Sequence, residues 1–238
     1  MVTTNREPGD VDDPAPLDSL RRHVPGVVRR IAAGQHIAIE GEASGQVIGV
    51  IAGVVRCFRL TADGRRHISR FAGHGALIGL GLLGVQRYSA ETINDVQVVY
   101  LRAETIEVQS QANATVRKAV MRALTDELNE GARSQTRLGC LNAEQRLADF
   151  LLGLIVDDAQ STPIEMSRAD IADHLGLTIE TVSRAFSKFA KLGLIDLINP
   201  HRFRAPNPAR LRRLVEGRIA ASEPVLDADA MTRATIAF

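Results

Sequence analysis

The apolar positions change period along the chain. From Ile31 to Leu101 they form short or alternating runs, Val47–Ile51, Val54–Leu60, His67–Phe71 and Val96–Leu101, separated by glycine-bearing turns. That pattern predicts a small β-barrel or sandwich. Glu40-Gly41, Ala52-Gly53 and Ala62-Asp63-Gly64 fall between the strand candidates, where a tight hairpin or a positive φ is needed. After Arg102 the period becomes helical. A short piece over Ala103–Ser110 precedes a proline-free run from about Asn113 to Leu138, with Asn113 placed to cap it. At 1.5 Å per residue that run extends about 39 Å, too long to serve only a small domain. Met121, Leu124, Leu128 and Leu138, with Gly131 and Gln135 in the same register, step by three and four, as a dimerisation seam does. A helix packed on its own β-domain would show a similar stripe.

Asn142-Ala-Glu-Gln-Arg opens a further helix, to about Asp157, so the two halves meet near Gly139-Cys140-Leu141. A helix over Arg168–Leu175 is stopped by Gly176, and a second starts near Thr178. Small Ala172 lets the two cross closely, while Ile171, Leu175, Leu177 and Val182 supply the contacts that fix their angle; this is a helix-turn-helix. Leu194–Ile198 and Arg202–Arg204, joined by Asn199-Pro200-His201, add a hairpin wing. The expected fold is α+β, divided into an acidic mobile arm (1–22), a β-rich domain (23–110), a dimerisation helix (111–139), a winged helix-turn-helix (140–219) and a loosely attached tail (220–238). The arm owes its assignment to Glu7, Asp10, Asp12, Asp13 and Asp18 against Arg6, with three prolines between Arg6 and Asp18.

At 238 residues, 45% hydrophobic and 24% charged, the chain is long enough for two packed domains. Its longest apolar stretches, Val47–Val55 and Ala76–Val85, are far below the ~18 residues of a membrane span. The N-terminus lacks the basic flank and apolar core of a secretory signal, so a cytoplasmic protein is expected. Cys57 and Cys140 are too few for a disulfide framework and have no metal-type spacing.

Net charge is only +1, so the local distribution carries the information. Between Ile179 and Arg213, eight bases (Arg184, Lys188, Lys191, Arg202, Arg204, Arg210, Arg212, Arg213) face Glu180 and Asp196, a local net of +6 on the helix-turn-helix and wing. Double-stranded DNA is the partner that this charge and motif fit.

Over nearly its whole length the sequence resembles the CRP/FNR superfamily of bacterial transcription regulators. Glu40-Gly41, Ile51-Ala-Gly-Val-Val, Ala62-Asp-Gly, Gly73-His-Gly75 and Gly79 are similar to landmarks of that family's cyclic-nucleotide-binding-type β-roll. Asn142-Ala-Glu-Gln-Arg-Leu-Ala and Leu177-Thr-Ile-Glu-Thr-Val-Ser-Arg resemble its FNR and FixK branch. The resemblance implies base reading by Glu180, Ser183 and Arg184, and a palindrome like TTGAT, four spacer pairs, ATCAA, bound by a homodimer. The chemistry agrees. Arg184 can contact guanine O6 and N7 together, Glu180 can accept from a cytosine amino group, and Ser183 can meet a thymine edge. Thr178 and Lys188 are expected on phosphate. Contact with RNA polymerase, and activation rather than repression, follow from family analogy alone.

The β-domain's candidate detectors narrow by elimination. No cysteine lies in residues 1–30, and Val99 stands where the family's iron–sulfur type has its central cysteine, so no cluster is expected. The cyclic-AMP type resembles Gly-Glu-Leu followed by Arg-Ser; here Gly75-Ala76-Leu77 and Tyr88-Ser89 stand instead, with Arg87 one position early. Arg87 and Ser89 remain candidates for a small anion, and His36, His67 and His74 for haem, as an effector-gated alternative; no cofactor or metal is assigned. Gly79-Leu-Gly-Leu-Leu-Gly84, with Glu104 beyond it, matches a dinucleotide fingerprint, but no helix pattern follows it. Cys57 reads as packing and Cys140 as a redox candidate at the hinge. No nucleophile elbow, metal motif or Walker sequence supports an enzyme, and Asp157-Asp158 reads as a solvated helix end.

Overall fold

Alternating side chains on β3 (Gln46–Ala52) and β8 (Val96–Arg102) set the architecture, because both strands bury both faces. A computed structural model describes residues 14–43, 45–80, 84–157 and 161–219. Strands β1 (Gly26–Ile31), β8, β3 and β6 (Leu77–Ile78) form one antiparallel sheet in that order. Strands β2 (His36–Ala38), β7 (Ser89–Thr92), β4 (Val55–Leu60) and β5 (Arg66–Ala72) form the other. Ile48, Val50, Val96 and Val98 of the first sheet meet Val55, Cys57 and Ala90 of the second. On the outer face of the first sheet, Val47, Val99 and Leu101 pack with Leu17, Leu20, Ile106, Val116 and Ala119. Those partners come from α1 (Pro16–Arg21), α2 (Ala103–Ala112) and α3 (Ala114–Cys140).

The helix α1 revises the arm. Leu17 and Leu20 are buried, and a Cβ on Gly49 of β3 would stand 2.3 Å from Leu17 Cδ1, so the absence of a side chain at Gly49 makes α1's seat. The chain is therefore packed from Pro16, not mobile to residue 22. Expectations for the arm before residue 14 and for the tail from residue 220 lie outside the described residues.

Asn113 caps α3 as its sequence suggests, accepting from the Thr115 amide at 2.9 Å. The four seam residues separate. Met121 and Leu128 are exposed (59% and 74%), whereas Leu124 packs on the α1 and sheet cluster and Leu138 is half-buried beside Gly176. Packing on the chain's own β-domain thus accounts for Leu124, while Met121 and Leu128 face outward.

Helix α4 (Ala143–Leu154) starts with an Asn142/Gln145 capping box and ends before Asp157. It packs with α5 (Arg168–Leu175), α6 (Ile179–Lys191) and α7 (Pro208–Val215) around Leu147, Leu151, Ile171, Leu175, Phe186 and Leu211. A three-stranded sheet, β10 (Asp196–Asn199), β11 (Arg202–Arg204) and β9 (Thr162–Pro163), makes the wing. The wing strand starts at Asp196, because Leu194 and Ile195 are buried beneath α6. Gly41, Gly53 and Gly64 have positive φ in the expected turns. After Gly84 the chain runs into β7 and β8 with no helix, so the glycine-rich match has no dinucleotide context. No helix among the described residues is long and apolar enough to cross a membrane.

Candidate nucleic-acid interface

The turn between α5 and α6 is built by local chemistry. Ser167 and Asp170 form a capping box on α5, Gly176 ends it at φ 62°, and Thr178 caps α6 by accepting from the Thr181 amide at 3.2 Å. Along α6, Val182, Ala185, Phe186 and Phe189 are buried, at i, i+3, i+4 and i+7. Glu180, Ser183, Arg184 and Ser187 repeat that spacing on the opposite, exposed face. The structure therefore brings the three proposed base-reading residues onto one accessible stripe, with the Ser187 hydroxyl turned back to the Ser183 carbonyl at 3.0 Å. A groove of about 520 Å³ along this helix is lined by Ser183, Arg184, Ser187, Lys188, Lys191 and Leu192.

Glu180 is held below the usual carboxylate range, first by its own backbone amide at the helix N-terminus, then by the Thr178 hydroxyl and the Arg184 charge. It is thus an acceptor at neutral pH. The Thr178 hydroxyl is engaged in the cap, 3.1 Å from the Thr181 hydroxyl.

Not all eight bases stand free for DNA. Lys188 Nζ lies 2.5 Å from Glu144 Oε1 on the first turn of α4. Arg210 is buried and donates to the Leu192 carbonyl, and Arg204 pairs with Asp196 at 3.2 Å. Arg202 donates to Ser161 Oγ at 2.9 Å. Arg184, Lys191, Arg212 and Arg213 are exposed. Sequence reasoning missed Glu144, and it missed Arg168, whose guanidinium carbon sits 3.3 Å from the Phe186 ring centroid and braces α6 from α5. An arginine at a helix start carries no sequence signal for such a stack.

The anion candidates do not converge. Arg87 is exposed ahead of β7, while Ser89 Oγ accepts from the Glu40 amide at 3.1 Å. The interior cation of the β-roll is Arg70, which donates to the Leu77 carbonyl (2.7 Å) and the Tyr88 hydroxyl (2.9 Å). Its buried Nε has no hydrogen-bond partner among the described residues. Burial pushes the Tyr88 hydroxyl up to about 12 and raises the Cys57 thiol, which fits Cys57 as packing. Cys140 is exposed. The His36 ring lies tilted beside Phe58 and His74 bonds the Ile51 carbonyl, while His67 sits on β5. Among the described residues no three His, Cys, Asp or Glu side chains gather to hold a metal.

Residues 145–214 match the Crp-like helix-turn-helix domain, and residues 28–113 the cyclic nucleotide-binding domain. The sequence is 35% identical over 178 residues to the nitrogen fixation regulation protein FixK of Bradyrhizobium diazoefficiens, covering 71% of this chain and 73% of that protein. It is 29% identical over 176 residues to the transcriptional activator protein Anr of Pseudomonas aeruginosa, covering 71% and 72%. The structure of FixK2 from Bradyrhizobium japonicum aligns with a TM-score of 0.77 at 30% identity, over 80% of this chain and 98% of that one.

Proposed function

The chain belongs to the CRP/FNR superfamily of transcription regulators, among the FixK- and FNR-type members, and from that premise we propose how it reads DNA. Two copies pair along α3 through the exposed Met121 and Leu128, and each lays α6 in a major groove. Arg184, Glu180 and Ser183 read base edges, while Thr178 and Lys188 hold phosphate. The target is a TTGAT-N4-ATCAA palindrome in promoter DNA in the cytoplasm. There the bound dimer meets RNA polymerase and activates.

One observation carries this reading: Glu180, Ser183 and Arg184 line the exposed face of a helix whose other face is buried at matching spacing. Selection of tight binders from a pool of random duplexes tests it. Enrichment of a two-fold symmetric TTGAT and ATCAA pair supports the reading; enrichment of an unrelated or asymmetric site removes it.

A second reading, gating of the β-roll by a small anion, is favoured by the buried, unpartnered Nε of Arg70. Calorimetric titration with inorganic phosphate and with a cyclic nucleotide tests it. Heat that disappears in Arg70→Gln supports gating, and no heat from either compound removes it.

A further inference from the structure

Asp170 does two things at once. Its Oδ2 accepts from the Ser167 hydroxyl at 2.7 Å and completes the cap of α5, while its Oδ1 accepts from two arginines of the β-roll. Arg56 Nη1 of β4 is 3.1 Å from that oxygen and Arg66 Nη2 of β5 is 2.9 Å from it. Arg66 Nε also reaches Asp173 Oδ2 at 2.8 Å, one turn further along α5. Arg56 is held in turn by both oxygens of Glu91 on β7, at 2.6 and 3.3 Å. The Asp170 side chain is only 4% exposed, and those of Arg56 and Arg66 are 17% and 25% exposed, so these contacts are shielded far more than a surface pair.

Among the described residues, the α6 helix has no comparable tie to the β-roll. It is held by α5, through the shared apolar core and Arg168 on Phe186, and by α4, through the same core and the Lys188–Glu144 pair, so a shift of α5 against the β-roll is passed to it. We infer that Arg56 and Arg66 are positioning residues for DNA reading: by clasping Asp170 and Asp173 they set where α6 stands relative to α3, and so the separation of the two reading helices in a dimer. This rests on the reading of DNA by a two-fold dimer proposed above. A half-site needs only one α6 in a groove and does not sense the clasp. A full palindrome needs both at one spacing.

The test uses the full-length protein with Arg66→Glu, Asp173→Arg, the two combined, and the milder Asp173→Asn. Asp170 is left alone because its loss would also uncap α5. Affinities are measured on an isolated half-site and on palindromes with spacers of three, four and five base pairs. Arg66→Glu is expected to weaken the four-pair palindrome by about tenfold, to leave the half-site within about twofold, and to flatten the spacer preference; the charge swap restores the pair with position 173 but not that with Asp170, and should recover part of it. Asp173→Asn should move the same way by a smaller factor. An unchanged spacer preference overturns the clasp, as does a loss of equal size on half-site and palindrome, the mark of a merely destabilised domain.

If the wild-type protein itself shows no spacer preference, the DNA reading fails instead. Hydrogen exchange then decides the clasp alone: amides in 66–72 and 168–175 should exchange faster in Arg66→Glu and partly recover in the swap, and equal exchange in all variants refutes it.

Discussion

Arg137 Nη1, near the end of α3, lies 3.0 Å from Nε2 of His174 on α5. An arginine can only donate, so Nε2 accepts, and the proton sits on Nδ1, 2.9 Å from the Ile68 carbonyl of β5. His174 thus joins the long helix, the DNA-binding unit and the β-roll. Its ring lies against Phe71 and Phe150, and Arg137 is anchored on Asp149 at 2.8 Å.

That geometry makes the junction sensitive to acid. Burial first, and the Arg137 charge second, lower the His174 pKa from 6.5 to about 4. The folded form favours the neutral ring, so its contribution is complete above pH 6.5 and is lost as pH falls toward 4. At about 1.4 kcal/mol per pH unit, going from pH 7.5 to 5.5 should remove about 1 kcal/mol of stability, before most carboxylates titrate. Urea unfolding at the two pH values checks this, with His174→Gln expected to show a smaller difference than wild type.

On the proposal that Lys188 holds phosphate, its pair with Glu144 must compete with DNA. A partly exposed pair of this kind is worth about 0–1 kcal/mol, so Glu144→Gln should tighten binding up to about fivefold, equally on specific and unrelated duplexes. Lys188→Ala should cost more in the Glu144→Gln background than in wild type. Anisotropy titrations of the four proteins check the cycle; weaker binding by Glu144→Gln would instead make Glu144 a support for Lys188.

Leu128 is the most exposed large apolar side chain of α3, whereas Leu124 is used inside the chain. Leu128→Glu, alone or with Met121→Glu, should halve the mass seen in light scattering, to that of a 25.8 kDa monomer, without loss of helix content. Leu124→Glu should instead lower thermal stability, because it places a charge against the α1 cluster.

Arg184→Ala should cost about 1–3 kcal/mol on the palindrome and relax preference at one base pair in each half-site. Titration against duplexes substituted at each position checks it. Uniform weakening on every duplex would make Arg184 a phosphate contact.

The α5, Gly176 and α6 unit was legible because each of its signals is local: a glycine in the left-handed region, Thr178 at the start of α6, and apolar residues at helical spacing. The strand β1 was not, since nearly all of Gly26–Ile31 is exposed and shows no alternation. The six-residue α1 was hidden in a stretch of prolines and acids, where its only signals are Leu17 and Leu20. Pairing across the fold left no trace either: Arg66 and Asp170 are separated by 104 positions, and each alone reads as a solvated charge. The same holds for Lys188, whose partner Glu144 lies 44 positions earlier.

If α6 reads sequence, fluorescence anisotropy of the purified protein, without added ligand and at fixed salt, must separate a TTGAT-N4-ATCAA duplex from its scrambled counterpart. The expected result is binding at least about a thousandfold tighter to the palindrome, with two chains per duplex. Equal affinity for the two duplexes would contradict it.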